Sequence, residues 1–208
     1  MLHVLDLLPE GKRLTNIVVM GIGEPLLNYA ATRRALEVLT APWGLGLSPR
    51  RITVSTVGLP ERIERLGADG PAVNLAVSLH ASDDLTRSRL VPRARPIRDI
   101  LAAARRYLRQ TGREVTIEYV LVKGVNDAAA DARELARLIG RAPFLVNLIP
   151  LNRVEGLAWE PPGPERVARF ANALRGRGIR VHVRRRRGAD IEGACGQLRL
   201  RPRAGSPT

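Results

Sequence analysis

Polar side chains recur at the ends of the apolar, β-branched runs of this sequence, where their chemistry would suit a ligand. They are Glu24, Ser55, Ser78, His80 and Asn152. One such residue carries little weight, because the end of any strand needs polar caps. Five of them on successive strand–helix units predict one shared ligand site, because parallel α/β folds bind ligands at the carboxyl ends of their strands.

The chain contains one cysteine, Cys195, and the histidines His3, His80 and His182. A single thiol cannot form an internal disulfide, which suits a reducing cytoplasm, and it cannot hold an iron–sulfur cluster, which takes several thiolates. The histidines lack the spacing of metal ligands, so no metal site is predicted. A lone cysteine is most often an inert buried thiol, although its thiolate form is a nucleophile.

The charge balance favours a polyanionic partner. Lys and Arg number 34 against 20 Asp and Glu, which gives a net charge of +14. A surface this positive favours nucleic acid, since a coding bias explains arginine in place of lysine but not the excess of charge. Aromatic residues make up only 3%, so binding would depend on phosphate contacts more than on base stacking. The run Arg184–Arg187 is by default a solvated face.

The 208 residues alternate strand-like runs with helical periodicity, which predicts a single α/β domain. The segment from Ala81 to Arg95 is predicted to be a polar connection. The alternation fits either an open doubly wound sheet or part of a βα barrel, because a complete eight-unit barrel typically needs ~250 residues. Six strands are predicted, at Asn16–Met20, Arg51–Thr56, Asn74–His80, Val115–Val122, Phe144–Ile149 and Ile179–Val183.

Six segments resemble the RlmN/Cfr family of radical S-adenosylmethionine (SAM) RNA methyltransferases, and its RlmN branch in particular. They are MGIGEPLLNY, RRITVSTVG, LAVSLHASDD, VTIEYVLVKGVND, NLIPLN and RGADIEGACGQL. The resemblance implies a partial TIM-type βα barrel of the radical SAM class over residues 1–198, followed by a disordered basic tail at 199–208. It further implies a cytoplasmic enzyme that uses SAM and a [4Fe–4S] cluster to methylate C2 of an adenosine in 23S rRNA and, in some members, tRNA.

The resemblance also implies which residues act. Cys195 matches a cysteine that carries the methyl group in the family, and Gly193 and Gly196 flank it and would free its loop to move. Beside a cysteine that must meet RNA, the arginines Arg184, Arg185, Arg186 and Arg187 form a candidate phosphate clamp. The positions that match cofactor-binding residues are Gly23, Glu24, Ser55, Ser78, Leu79, His80 and Asn152.

One departure from the family changes what the resemblance implies for this chain. The CxxxCxxC loop that binds the cluster in the family lies upstream of the position of Asn16, and this sequence contains no such loop. We therefore expect an N-terminally truncated barrel portion that is inactive alone and needs a separate upstream segment carrying the cluster. The alternatives are a non-catalytic SAM- or RNA-binding module and a remnant that does not fold stably.

Overall fold

The computed structural model of the chain describes residues 7–153 and 158–184. Within this part of the chain, the strands are β1 (Ile17–Val19), β2 (Ile52–Thr56), β3 (Asn74–Ser78), β4 (Val115–Leu121), β5 (Leu145–Pro150) and β6 (Arg180–Val183). The helices are α1 (Tyr29–Thr40), α2 (Pro60–Asp69), α3 (Asp84–Leu90), α4 (Ile97–Thr111), α5 (Ala129–Ile139) and α6 (Pro164–Arg175), and 3₁₀ turns occupy Pro25–Asn28 and Pro49–Arg51.

All six predicted strands are confirmed, with ends that differ from the prediction by at most two residues. Their β-branched residues alternate between two environments, because successive side chains of a strand point to opposite faces. In β2, Ile52 and Val54 are completely buried, whereas Thr53 and Ser55, which alternate with them, remain partly exposed. One face of the sheet therefore packs on the hydrophobic core and the other presents polar residues.

The topology of the sheet distinguishes between the two predicted architectures. The six strands lie in chain order from β1 to β6, and every neighbouring pair is parallel. A doubly wound sheet reverses its strand order at a switch point, and this order has no reversal. Right-handed crossovers then place the connecting helices on one face. The fold is a partial α/β barrel, as predicted.

The core fills the space between the sheet and the helices. Helix α4 contributes Ile97, Ile100, Leu101 and Ala104, which recur at helical spacing and are at most 3% exposed. The Tyr107 hydroxyl on the same helix donates a hydrogen bond of 2.6 Å to the carbonyl oxygen of Val73. This buried contact fixes α4 against the start of β3.

Helix α3 forms where the sequence predicted a polar connection. Its sequence, DLTRSRL, carries no apolar face of helical spacing, so periodicity could not reveal it. Two other contacts stabilise it: the Asp83 carboxylate caps the helix by accepting from the backbone N–H of Thr86 at 2.8 Å, and Arg87 is completely buried.

No helix in the described part of the chain is long and apolar enough to span a bilayer.

Candidate functional site

The carboxyl edge of the sheet brings together the five strand-end residues predicted from the sequence. Glu24 lies between β1 and the first 3₁₀ turn, Ser55 is the penultimate residue of β2, and Ser78 ends β3. His80 and Asn152 follow β3 and β5 by two residues each. All five are partly exposed. The sheet thus places them on consecutive or near-consecutive strands at one edge, as a shared ligand site requires.

Glu24 joins the loop after β1 to the loop after β2. Its Oε1 accepts from the backbone N–H of Leu26 at 2.9 Å, and its Oε2 accepts from that of Val57 at 2.6 Å. The preceding Gly23 has a φ of 115°, a conformation that glycine adopts without strain. Because both carboxylate oxygens already bind the backbone, the side chain positions two loops, and a ligand would meet its remaining lone pairs or the main chain.

Arg87 of α3 ties the loops after β2 and β3 together, a role that sequence reasoning missed. Its guanidinium donates to the carbonyl oxygens of Leu79 at 2.8 Å and Ser78 at 3.2 Å, and also to that of Val57. The side chain is fully buried, and burial lowers its pKa to about 10, opposed by the charge of Asp84. Three carbonyls from two site loops therefore share one cation.

His80 has an uncommon backbone conformation, and a backbone hydrogen bond fixes its imidazole ring. Its φ is 60°, which is uncommon for a residue other than glycine, and its Nδ1 accepts from the backbone N–H of Val120 at 3.2 Å. Burial of the ring, with a smaller effect of the Arg87 charge, lowers its pKa to about 4. At neutral pH the ring is uncharged with its proton on Nε2, so it can act as a hydrogen-bond donor.

Asn126 supports His80 and is a further residue that the sequence did not single out. Its Nδ2 donates to the carbonyl oxygens of His80 and Val120, both at 2.7 Å, while its Oδ1 accepts from the N–H of Val122 at 2.7 Å. The residue is 1% exposed. The only sequence signal was its place in an Asn-Asp turn directly after a strand, which is also typical of an ordinary helix start.

A row of polar residues crosses the sheet face that points away from the core. Ser78 of β3 is in register with Glu118 of β4, Glu118 with Asn147 of β5, and Asn147 with His182 of β6. We call these four residues the polar row. In-register residues of neighbouring parallel strands share a face, so the row continues from the strand-end serine Ser78 across three more strands.

The buried Glu118 and the partly buried Asn147 form the middle of the polar row. Asn147 Nδ2 donates to Glu118 Oε2 at 2.8 Å. Burial raises the pKa of Glu118, and the Asn147 hydrogen bond and the Arg184 charge oppose that rise. The buried Oδ1 of Asn147 has no hydrogen-bond partner among the described residues. An orphaned buried acceptor next to a carboxyl group is a place for a donor on a ligand.

The remaining predicted site residues fall into two groups. Leu79 is completely buried in the hydrophobic core, so only its main chain can face a ligand, and Arg184 is exposed directly after β6. The other four lie outside the described residues, and the predictions for them remain open: Arg185, Arg186, Arg187 and Cys195.

A radical SAM site holds two groups, SAM and a [4Fe–4S] cluster, and the residues of this chain suit the first but not the second. The edge and the polar row offer hydroxyl, imidazole, amide and carboxyl groups, including the orphaned Asn147 oxygen, which suit the ammonium, carboxylate and ribose hydroxyls of SAM. A [4Fe–4S] cluster takes several thiolates, and the sequence has one cysteine. Residues 7–153 and 158–184 likewise contain no group of three His, Cys, Asp or Glu that could hold a metal ion.

Comparison with known proteins settles the family. Residues 2–139 match the model of the Radical SAM superfamily, which is more than half of the chain. The chain belongs to the radical SAM superfamily. Membership of this superfamily implies SAM and a [4Fe–4S] cluster as cofactors. It agrees with the partial barrel seen in the strand order.

Within the superfamily, the chain is RlmN-like. It is 53% identical over 197 residues to the dual-specificity RNA methyltransferase RlmN of Sorangium cellulosum, a match that covers 93% of this chain and 51% of that protein. It is 45% identical over 201 residues to the probable dual-specificity RNA methyltransferase RlmN of Thermotoga neapolitana, covering 95% and 58% respectively. The chain thus spans about half the length of the curated relatives it matches.

Solved structures agree with this assignment. A radical SAM methyltransferase from Sphaerobacter thermophilus superposes with a TM-score of 0.85 at 52% identity, covering 90% of this chain and 55% of that one. A domain of the pyruvate-formate lyase-activating enzyme from Bacteroides vulgatus superposes with a TM-score of 0.64 at 19% identity. The second similarity extends only to the radical SAM fold.

Proposed function

We propose that this chain is the cofactor-binding part of an RlmN-type methyltransferase that transfers a methyl group from SAM to C2 of an adenosine in 23S rRNA and in tRNA. The observation that supports it best is the set of strand-end residues on one edge, tied together by Glu24 and Arg87, in a chain 53% identical to an RlmN protein. SAM supplies the methyl group when it is bound at this edge. A cytoplasmic location fits an RNA substrate and a single cysteine.

The residues of the edge bind and orient the cofactor in this proposal. Gly23 and the main chain at Glu24 face its amino-acid end, and the hydroxyls of Ser55 and Ser78 offer hydrogen bonds to its polar groups. His80 presents an uncharged Nε2–H donor, because Nδ1 is already bound to Val120. The Leu79 main chain and Asn152 complete the set. Ser55 and Ser78 lie within strands, and Glu24, Arg87 and Asn126 tie the loops that carry the other groups to the main chain, which holds a bound cofactor in one place.

Cys195 is the proposed methyl acceptor. Its thiolate attacks the methyl carbon, so that a carbon–sulfur bond forms at Cys195 as the methyl–sulfonium bond breaks. The positive charges of Arg184, Arg185, Arg186 and Arg187 favour the thiolate and the phosphates of RNA. The later radical step requires a cluster that one thiol cannot hold, so we propose that a separate segment supplies it and that the chain alone does not methylate RNA.

SAM binding by the isolated chain tests the edge residues. We expect saturable binding in equilibrium dialysis with radiolabelled SAM, and about fivefold weaker binding for Ser78→Ala, as the loss of a hydrogen bond to a ligand of this kind costs about 1 kcal/mol. Ser48→Ala is the matched control, because Ser48 is exposed before β2 at the opposite edge. Equal affinity of the two variants would remove Ser78 from the site.

Complementation tests the chemistry. The chain is mixed anaerobically with the cluster-carrying N-terminal portion of the Sorangium cellulosum relative, SAM, rRNA and dithionite as the one-electron reductant. We expect methylated adenosine only in the mixture, and none when Cys195→Ala replaces the natural chain. RNA methylation by the chain alone, or full activity of the alanine variant in the mixture, would contradict the proposal.

The second candidate function is a SAM- or RNA-binding module without chemistry. The single cysteine favours it, because such a chain cannot build the cluster by itself. This candidate predicts binding of SAM or RNA by the chain and no methylation in the complemented mixture, so the same two experiments decide between them.

A further inference from the structure

A cleft of about 460 Å³ opens on the helical side of the fold, separate from the polar row. It lies between the 3₁₀ turn Pro25–Asn28, the beginning of α2 and the segment that leads into α4. The first two segments follow the carboxyl ends of β1 and β2, so the cleft borders the same edge as the candidate site, and the third follows α3. Its lining residues are Leu27, Leu59, Glu61, Arg62, Arg65 and Arg95.

The charges of the cleft are positive and largely unpaired. Three guanidinium groups face one carboxylate, that of Glu61. Arg62 and Arg95 form no ion pair with a carboxylate of the described residues, so their charges are available to a ligand. Charge complementarity therefore points to an anionic occupant, and guanidinium groups suit phosphate because they offer two parallel N–H donors.

Arg65 is held in place more firmly than a typical surface arginine. Its guanidinium carbon lies 4.3 Å from the centre of the Tyr29 ring, and its Nε is 3.5 Å from the Asp69 carboxylate. The Tyr29 hydroxyl in turn donates to Asp69 and to the carbonyl oxygen of Arg65. A cation fixed in this way loses less side-chain entropy when it binds an anion.

The positive surface continues beyond the cleft. A second, smaller depression of about 240 Å³ shares Arg65 with the first and adds Arg33, Arg34 and Glu37 from α1. The two depressions together carry five arginines against two glutamates, and of these arginines Arg33 and Arg34 lie within ion-pair distance of Glu37, while Arg65 is paired with Asp69 outside the lining. A series of cations along one path fits a polymer with regularly spaced charges better than it fits a single small ion.

The floor of the cleft is apolar, which further narrows the class of ligand. Leu27 is 68% exposed beside the guanidinium groups, and Leu59 lies next to it at the start of α2. An inorganic anion gains nothing from exposed leucines, whereas a nucleotide has an apolar base face as well as a phosphate. Unpaired bases of RNA stack on guanidinium planes, which the cleft supplies, and the leucines offer a base an apolar contact in addition.

We propose that this cleft binds a nucleotide of single-stranded RNA, with its phosphate between Arg62 and Arg95 and its base against Leu27 and Leu59. The choice of RNA as the partner rests on the proposed function. The neighbouring arginines Arg65, Arg33 and Arg34 would follow the backbone of the adjoining nucleotides. The cleft then guides the substrate strand toward the edge at which the cofactor binds.

Salt dependence of RNA binding tests the charged contacts. The affinity of the 208-residue chain for a short fluorescent single-stranded RNA is measured by anisotropy over a range of salt concentrations. For the double variant Arg62→Gln/Arg95→Gln we expect the slope of log affinity against log salt to fall by about 0.7, because the two arginines together contact one phosphate of a single strand. The control is Arg141→Gln/Arg169→Gln, which removes two exposed arginines near α5 and α6.

The apolar floor needs a variant of its own. Leu27→Ser should weaken RNA binding about fivefold while leaving the salt slope unchanged, because it removes apolar contact and no charge. Leu85→Ser is the control, because Leu85 is 77% exposed on α3 and does not line the cleft. Equal slopes for the two arginine pairs, or equal affinities for the two leucine variants, would overturn the assignment.

These measurements separate the cleft from the proposed function. RNA binding through the cleft without methylation in the complemented mixture would leave the cleft standing and contradict the methyltransferase. Methylation in the complemented mixture, together with unchanged RNA affinity of the cleft variants, would contradict the cleft and leave the methyltransferase standing. The substituted residues are at the surface, and circular dichroism would confirm that each variant keeps its secondary structure.

Discussion

The stability of this fold should depend on pH through His80 in a specific way. The folded pKa of His80 is about 4, whereas an unfolded chain titrates its histidine at 6.5. As pH falls below 6.5, the unfolded state gains a proton that the folded state does not take up. The stability associated with the neutral ring is therefore complete above pH 6.5 and is lost as pH falls toward 4.

The expected magnitude follows from these two values. Linkage gives a loss of about 2 kcal/mol by about pH 5 and about 3 kcal/mol when both states are fully protonated. Carboxyl groups also change the stability over this interval, so the measured quantity must be a difference between two variants. His80→Asn is suitable because asparagine tolerates the φ of 60° and its Oδ1 can accept from Val120, but it does not titrate.

Urea unfolding of the natural chain and of His80→Asn at a series of pH values provides the assay. We expect the difference in unfolding free energy to favour His80→Asn increasingly below pH 6.5, by about 2 kcal/mol near pH 5 relative to neutral pH. NMR titration of the three imidazoles, assigned with single histidine variants, measures the pKa directly. A His80 resonance that titrates above pH 6, with a difference that stays constant across the series, would refute the assignment of a buried neutral ring.

Two further substitutions test the supports of the site. Burial raises the pKa of Glu118, so the stability contributed by the protonated carboxyl group is complete at low pH and is lost as pH rises through the folded pKa. In urea unfolding, Glu118→Gln should therefore gain stability relative to the natural chain between pH 4 and 8. A difference in unfolding free energy that stays constant over this range would contradict the raised pKa. Asn126→Ala removes three hydrogen bonds from a residue that is 1% exposed, and it should lower the unfolding free energy by about 3 kcal/mol. Asn172→Ala, on the exposed side of α6, is the control for that loss and should cost less than about 0.5 kcal/mol.

The strands were predictable because their signal is local. Runs such as Arg51–Thr56 and Asn74–His80 combine β-branched residues with polar residues at their ends, and both properties survive in the fold as a buried face and a carboxyl edge. Helix α3 was missed for the complementary reason. It is held by the Asp83 cap and by the burial of Arg87 under two loops, and neither contact leaves a periodic pattern in the sequence.

The candidate site was predictable at the strand ends but not within the strands. Glu118 and Asn147 interrupt apolar runs, which the sequence does show, but their meeting depends on the register between β4 and β5. Glu24 was predicted as a cofactor residue from a resemblance, and that prediction stands untested. The sequence could not show that both oxygens of its carboxylate bind the backbone of its own and a neighbouring loop.

The burial of Arg87 has a consequence for the way this site opens. Helix α3 has only seven residues and no apolar stripe, so it has little stability of its own. Its guanidinium nevertheless bonds the carbonyls of Val57, Ser78 and Leu79. Fraying of α3 therefore releases the loops after β2 and β3 in the same event, and the three segments form one cooperative unit of local unfolding. Amide hydrogens in α3 and in those two loops should exchange with solvent at a common rate, faster than those of β4.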